Sequence, residues 1–162
     1  MTTQKFTFEY VSYPDSSELS PADEQLLTRA RKVTENAYAP YSNFFVGAVI
    51  LLANGETVQG TNQENASFPV GICAERTALS TASSLYPGVG IDTIAVSYCN
   101  KNGGKNDAPI SPCGICRQTI TEYENRQQKP IRIIMSGQSG KVYVLQTAKH
   151  LLPFGFTAED ME

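Results

Sequence analysis

The spacing of apolar residues along the chain predicts a series of short strands. In the first ten residues, Phe6, Phe8 and Tyr10 alternate with polar residues, and over residues 5–10 this period of two is typical of a strand. A near-continuous apolar run over residues 44–52 has the length of a buried strand, and the Asn-Gly pair that follows predicts a hairpin turn. Further strands are predicted at residues 56–60, 91–98, 131–135 and 142–145.

Three other stretches have the spacing of helices with one apolar face. The first is predicted to begin after the capping residue Ser20, with Pro21 in its first turn and Asp23 three residues beyond the cap. Its buried stripe is predicted to consist of Leu26, Leu27, Ala30, Val33 and Ala37. The other two helices are predicted over about residues 73–85 and 113–125.

The order of these elements predicts a single α/β domain over residues 1–162. Strands and helices alternate as β-α-β-β-α-β-α-β-β, which indicates helices packed on a mixed sheet. The sequence has no internal repeat, low-complexity tract or linker that would divide it.

Composition narrows the class of protein further. Apolar residues make up 41% of the 162 residues and charged residues 18%, as in globular proteins. The net charge of −3 and the scattering of the 13 Lys and Arg residues argue against nucleic-acid binding. No segment has the character of a signal peptide or a membrane span, so we expect no membrane partner and a cytoplasmic location.

Three of the four cysteines lie where two predicted helices begin. Cys113 and Cys116 form a C-x-x-C motif, and Cys73 occupies the equivalent position of the preceding helix. Helix N-termini favour thiolates, and three thiolates around one point suit the tetrahedral preference of Zn²⁺. Three protein ligands leave one position open, which is typical of a catalytic zinc site.

The role of Cys99 decides whether the predicted zinc site is open or closed. At the end of an apolar strand it would ordinarily be a small core residue, but as a fourth ligand it would close the site and make the zinc structural. A thiol oxidoreductase built on Cys113 and Cys116 is a further alternative, although it leaves the other motif unexplained. The only histidine, His150, is predicted to be a surface or helix-end residue.

Glu75 and Arg76 follow Cys73 closely enough to take part in the same site. A carboxylate beside zinc could take a proton from water and deliver it elsewhere, and Arg76 could hydrogen-bond to sulfur. Each also has an ordinary explanation, as a first-turn glutamate and a surface arginine. Since residues two apart do not share a helix face, Cys73 must lie before the regular helix for both to reach one ligand.

These motifs resemble a known group of enzymes. The C-A-E run at 73–75 and the P-C-x-x-C run at 112–116 resemble the signature of the zinc nucleoside and nucleobase deaminases. Further stretches, NAYAPYSNFFVGA, GTNQENAS, CAERTAL and LLPFGF, are similar to the small cytidine deaminases that act on free nucleosides. The resemblance covers roughly residues 24–158.

The resemblance implies a fold and a reaction. It implies a three-layer α/β/α arrangement with a roughly five-stranded mixed sheet, and hydrolysis of cytidine and 2′-deoxycytidine to uridine and 2′-deoxyuridine with release of ammonia, as in pyrimidine salvage. A polynucleotide-editing deaminase would share this chemistry, but the acidic pI argues against it.

The resemblance also implies roles for individual residues. One Zn²⁺ per subunit would be bound by Cys73, Cys113 and Cys116, with Glu75 as the proton shuttle and Arg76 beside the ligands. The substrate would be bound by Phe44, Asn62, Glu64, Ala74 and Phe156. Phe156 would close the cavity of a neighbouring subunit, because enzymes of this family are typically homotetramers with active sites at the subunit interfaces.

Without the family, the substrate-binding residues have plainer explanations. Asn62 and Glu64 could belong to a polar turn, Phe44 to the core and Phe156 to a packed tail. The sequence departs from the family pattern in an extension over residues 1–19, in a longer loop over residues 99–112, and at Phe68, where a tyrosine is common.

Overall fold

The structure, a computed structural model, describes residues 1–161, and over this range six strands form one mixed sheet between two layers of helix. The strands are β1 (Val11–Tyr13), β2 (Phe44–Leu52), β3 (Thr57–Thr61), β4 (Ile91–Asn100), β5 (Arg132–Ser136) and β6 (Val142–Leu145). The α-helices are α1 (Pro21–Val33), α2 (Ala74–Leu85) and α3 (Gly114–Gln127).

The sheet has the strand order β1-β6-β5-β4-β2-β3. Only β4 and β5 pair in parallel, and α3 makes the crossover between them. The other neighbours are antiparallel. The mixed sheet is therefore confirmed, with six strands instead of about five, because the short β1 adds to the edge at β6.

The two faces of the sheet are covered by different helices. On one face, α1 buries Leu27 and Ala30 against sheet residues such as Val49 and Ile134. On the other face, α2 and α3 cover a larger cluster centred on Ile50, Ile94, Val96, Leu79 and Ile120, all of them buried. This is the expected three-layer α/β/α arrangement.

Strand direction brings the beginnings of α2 and α3 together. Both β3 and β4 run antiparallel to β2, which lies between them, so the C-terminal ends of both strands lie at the same end of the sheet. The helix that follows each strand in the chain consequently begins near that end. Phe44, the first residue of β2, lies at the same end, opposite Asn100.

Gly60 allows α2 to lie close to the sheet. A Cβ at this residue of β3 would overlap with the backbone of Ala74 and Ala78 in the first turns of α2. Any larger residue would displace the helix whose beginning carries the first cysteine of the site.

The prediction of a strand over residues 5–10 is wrong. Phe6, Phe8 and Tyr10 do lie side by side in sequence, with tilted rings whose centroids are 6.4 and 6.5 Å apart, but the segment is exposed and forms no ladder. A strand also needs a backbone partner, and β6 is only four residues long. Its pairing with the N-terminal segment begins at Val11, opposite Val144.

Several predicted boundaries also differ from the structure by one or more residues, and for two of them the structure shows the reason. The stripe of α1 does not extend to Ala37, because the helix ends at Val33 and a 3₁₀ turn follows over Thr34–Asn36. The hydroxyl of Thr34 donates a hydrogen bond to the carbonyl of Arg31, 2.7 Å away, at this change of geometry. The loop predicted from residue 99 begins only after Asn100, because β4 continues beside β2.

Candidate metal centre and active site

Three cysteine sulfurs meet where α2 and α3 begin. Cys73 and Cys113 are the N-cap residues of the two helices, each with extended backbone, and Cys116 lies in the first turn of α3. Their Sγ atoms all lie within 4.8 Å of one another. Because Cys73 precedes the regular helix, the condition for Cys73 and Glu75 to reach a common point is met.

The spacing of the sulfurs fits a tetrahedral zinc ion. The Sγ of Cys113 lies 3.7 Å from that of Cys73 and 3.5 Å from that of Cys116. Zn–S bonds of about 2.3 Å in a tetrahedron place two sulfurs roughly 3.8 Å apart. Three thiols at this spacing, at two positive helix ends, are a donor set that suits Zn²⁺.

Hydrogen bonding within the cluster shifts the pKa values of two of its thiols in opposite directions. A hydrogen bond from Cys116 lowers the pKa of Cys73 to about 6, so this thiol becomes a thiolate more readily than an isolated cysteine does. The same hydrogen bond, followed by burial, raises the pKa of Cys116. One thiolate thus forms readily, while complete deprotonation of the cluster requires a cation to compensate the charge.

Glu75 lies buried next to the sulfurs, with 4% of its surface exposed. Burial raises the pKa of its carboxyl group, while hydrogen bonds from its own backbone N–H and from Cys116 act in the opposite direction. A buried carboxyl group with a raised pKa is suited to accept and release a proton near neutral pH.

Cys99 and His150 lie apart from the cluster. Cys99 is a half-buried residue of β4 paired with Phe45, and it does not belong to the group of three sulfurs. His150 lies in the 3₁₀ turn Ala148–Leu151 with its ring 5.6 Å from that of Phe8. The closed four-cysteine arrangement considered above therefore finds no support in the geometry.

Arg76 acts on the cluster through its charge. The guanidinium makes a minor contribution to the lowered pKa of Cys73. Within residues 1–161, no hydrogen bond joins Arg76 to a sulfur, so its predicted contact with the ligands is electrostatic in this structure.

A cavity of about 560 Å³ lies directly beside the cluster. Cys73, Cys113 and Glu75 form part of its wall, and the segments around Phe44 and Asn62 form another part. Of the predicted substrate-binding residues, it brings together Phe44, Asn62, Glu64 and Ala74.

Asn62 and Glu64 reach the cavity from an extended segment. Residues 62–64 are bridged to Tyr38 on one side and Ile72 on the other, so the side chains of Asn62 and Glu64 point the same way. Asn62 accepts a hydrogen bond from the N–H of Val46 at 2.7 Å and donates one to the carbonyl of Phe44 at 2.9 Å.

Glu64 is held by the turn at residues 40–43. Its Oε2 accepts hydrogen bonds from the backbone N–H groups of Tyr41 at 2.9 Å and Ser42 at 3.3 Å. A hydrogen bond from the side chain of Ser42 contributes most to keeping the pKa of Glu64 below its usual range; burial opposes it, and the backbone N–H groups of Tyr41 and Ser42 lower the pKa further. The carboxylate stays charged, and no residue among 1–161 hydrogen-bonds to Oε1.

The two predicted aromatic contacts lie in different places. Phe44 faces the cavity and stacks on the ring of Tyr98, with centroids 4.9 Å apart. Phe156 is exposed near the C-terminus, where its backbone N–H and carbonyl pair with the side chain of Gln118. It does not line the cavity of its own chain.

Arg117 is an important residue of this region that sequence reasoning did not single out. Its guanidinium donates to the carbonyls of Pro112 and Leu151 and to the hydroxyl of Ser111, at 2.8, 3.1 and 2.9 Å. It thus fixes the segment that leads into Cys113. Its position directly after the C-x-x-C motif was the available signal.

The comparisons with known proteins identify the family of the chain. A family model for the cytidine and deoxycytidylate deaminase zinc-binding region matches residues 20–129, which include the three clustered cysteines and Glu75. The cytidine deaminase of Halalkalibacterium halodurans is 37% identical over 138 residues, covering 85% of this chain and 96% of the relative. That of Sporosarcina psychrophila is also 37% identical, over 85% of this chain and 93% of the relative.

Solved structures give the same result. A crystal structure of cytidine deaminase from Burkholderia pseudomallei superposes with a TM-score of 0.71 at 36% identity, covering 85% of this chain and all of that one. A thiol cluster and a buried glutamate at two helix starts, on a three-layer fold, are characteristic of the zinc-dependent deaminases. The chain belongs to the cytidine and deoxycytidylate deaminase family.

Proposed function

We propose that this protein is a zinc-dependent cytidine deaminase that converts cytidine and 2′-deoxycytidine, with water, to uridine and 2′-deoxyuridine and ammonia. The observation that carries the proposal is the cluster of three sulfurs and a buried glutamate beside a cavity of about 560 Å³, with Cys73, Cys113 and Glu75 in the cavity wall. This volume is within the range of small-molecule sites.

Cys73, Cys113 and Cys116 would hold one zinc ion per subunit. When bound, zinc supplies Lewis-acid activation of the water that attacks C4 of the pyrimidine. Arg76 would offset part of the negative charge of the three thiolates, in keeping with its effect on the pKa of Cys73.

Glu75 would move the protons of the reaction. It takes one proton from the attacking water and delivers it to N3 of the ring, and it then takes the second and delivers it to the leaving amino group. The water oxygen stays on C4, and the C4–N4 bond breaks to release ammonia. Burial supports this role, because it brings the proton affinity of Glu75 closer to that of the groups it serves.

The sugar and the base would be bound by the other wall of the cavity. Glu64 retains Oε1 as a charged acceptor, and the second proton of the Asn62 amide is available to donate, so the pair can hydrogen-bond ribose hydroxyls. Phe44 would pack against the base or sugar, and Ala74 would contribute the small surface beside the cysteines.

A free nucleoside suits this cavity better than a nucleotide. The family model includes deoxycytidylate deaminases, whose substrate carries a phosphate. Among residues 1–161, the side chains that line the cavity include two carboxylates, Glu64 and Glu75, but no Lys, Arg or His. A phosphate group would meet no compensating charge there.

We infer further that the enzyme is a homotetramer in which Phe156 closes the cavity of a neighbouring subunit. Its exposure on its own chain supports this role, because an exposed aromatic residue outside its own cavity is available to a partner.

We also infer a single domain, since β1 of the 1–19 extension joins the same sheet. A role in cytoplasmic pyrimidine salvage would follow from the reaction; no α-helix within residues 1–161 is apolar and long enough to cross a membrane.

The test is a deamination assay combined with metal analysis. Purified protein is incubated with cytidine, 2′-deoxycytidine and deoxycytidylate, and uridine or deoxyuridine formation is measured beside zinc content. We expect turnover of both nucleosides, little of the nucleotide, one zinc per chain, and loss and recovery of activity on chelation and zinc addition. A zinc-loaded protein that leaves both nucleosides unchanged would contradict the proposal.

A further inference from the structure

The loop that follows β4 contacts the turn that holds Glu64. The side-chain amide of Asn102 donates a hydrogen bond to the carbonyl of Ser42 at 2.7 Å, and the N–H of Lys101 donates to the carbonyl of Asn43 at 3.0 Å. These two bonds attach residues 101–102 to the turn at residues 40–43, about 60 residues earlier in the chain.

The loop is itself anchored to the body of the protein. Asn106 bonds to both backbone groups of Asn100, accepting from its N–H at 2.7 Å and donating to its carbonyl at 3.3 Å. The carbonyls of Asn106 and Asp107 accept hydrogen bonds from the β5–β6 turn. Gly140 in that turn has a φ of 71°, and a Cβ there would overlap with Asp107. The loop is thus a fixed support for Asn102.

Ser42 joins this support to the cavity. Its carbonyl accepts from Asn102, while its N–H donates to Oε2 of Glu64 at 3.3 Å. The orientation of the Glu64 carboxylate depends on the orientation of the N–H groups in the turn, and Asn102 fixes the turn from the opposite side. Asn102 is exposed and does not line the cavity.

We propose that Asn102 is a positioning residue that orients Glu64 toward the sugar of the substrate, acting through the turn at residues 40–43. The inference rests on the proposed function, in which Glu64 binds a ribose hydroxyl. It assigns a role in substrate binding to the extended loop, which lies where this sequence departs from the family pattern.

The experiment compares two substrates in the Asn102→Ala variant. For cytidine, we expect KM to rise by about three- to tenfold, the range of one neutral hydrogen bond, with kcat within twofold of the parent enzyme. For 2′,3′-dideoxycytidine, which lacks both hydroxyls that Glu64 could bind, KM should not change. Asn102→Asp keeps the size but removes the donor, and it carries the same expectation should the alanine variant fold poorly.

Two controls separate this role from general loop stability. Lys105→Ala changes an exposed residue of the same loop whose side chain makes no hydrogen bond or ion pair within residues 1–161, so both KM values should be unaffected. In a Glu64→Gln background, Asn102→Ala should cause little further change, because both substitutions act on one interaction.

The inference is overturned if KM rises equally for both substrates, if neither KM changes, or if the effect persists undiminished without Glu64. In each of these results the parent enzyme still deaminates cytidine, so the proposed function stands. A parent protein that deaminates neither substrate overturns the proposed function and this inference together.

Discussion

The metal corner and the sugar side of one cavity are built in different ways. The metal corner consists of two short segments, residues 73–75 and 113–116, each at the beginning of a helix. The sugar side is assembled from residues 40–43, 62–64 and the loop after β4, joined by hydrogen bonds from side chains to the backbone of distant segments. Within the metal corner, each segment has the local geometry of a helix start, whereas the sugar side has side chains that are held in place by long-range hydrogen bonds.

This difference determines how strongly a single substitution on each side should affect the activity. At the metal corner, all three sulfurs are proposed to bind the same ion, so a single change there should remove the whole function. At the sugar side, several hydrogen bonds share the positioning of two residues. Single changes there should weaken binding by graded amounts.

The largest expected effect comes from the metal corner. We expect Cys113→Ser to lose bound zinc and with it measurable deamination, because a hydroxyl is a poor substitute for a thiolate ligand. Cys99→Ser is the matched control, since Cys99 lies outside the cluster and should keep both zinc and activity. Metal analysis and the deamination assay measure the two outcomes. Loss of zinc in the Cys99 variant would instead support a four-cysteine site.

The next effect separates chemistry from metal binding within the same corner. Glu75→Gln keeps the size of the side chain but cannot carry a proton, so kcat should fall by about 10²–10⁴-fold or more. Zinc content should stay at the level of the parent enzyme, because Glu75 is not one of the three proposed ligands. A variant with zinc and near-normal kcat would remove Glu75 from its assigned role.

The same contrast explains what the sequence could predict. Local patterns placed β2 and β6 with the bounds that the structure has, and the C-x-x-C spacing placed two sulfurs at one helix start. The alternation of Phe6, Phe8 and Tyr10 predicted a strand that does not form, because a strand needs a partner strand and side-chain spacing does not reveal one. Asn102 and Arg117 have no spacing signal for their partners, since both bond to carbonyls of distant or irregular segments.

At the sugar side, the larger of two graded effects should come from Glu64. Glu64→Gln keeps an oxygen for the N–H groups of Tyr41 and Ser42 but removes the charge from the free Oε1. A hydrogen bond to a charged group contributes about 1.5–3 kcal/mol, so we expect KM for cytidine to rise by about tenfold or more with kcat little changed. Thermal unfolding should be nearly unaffected, because Glu64 is only partly buried on the cavity wall and the variant keeps an oxygen for both N–H groups. A fall in kcat with KM unchanged would contradict a binding role.

Asn62→Ala should have the smaller effect on KM, about three- to tenfold, because only one neutral hydrogen bond to the substrate is removed. Unlike Glu64, Asn62 also satisfies the N–H of Val46 and the carbonyl of Phe44. Leaving these groups without partners should lower the free energy of unfolding by about 1–3 kcal/mol, measured by denaturant titration. Gln59→Ala, at an exposed position of β3, is the matched control and should change neither quantity.

Together, Glu64→Gln and Asn62→Ala test whether the sugar side is held by separate long-range contacts. If the sugar side is a set of long-range contacts, stability and substrate binding should be linked at Asn62 and separate at Glu64. The reason is that the Asn62 amide supports the beginning of β2, whereas the Glu64 carboxylate is itself supported by the turn. Equal destabilisation by both variants would show that the wall folds as one unit, and the cavity would then have no side whose binding can be changed without loss of stability.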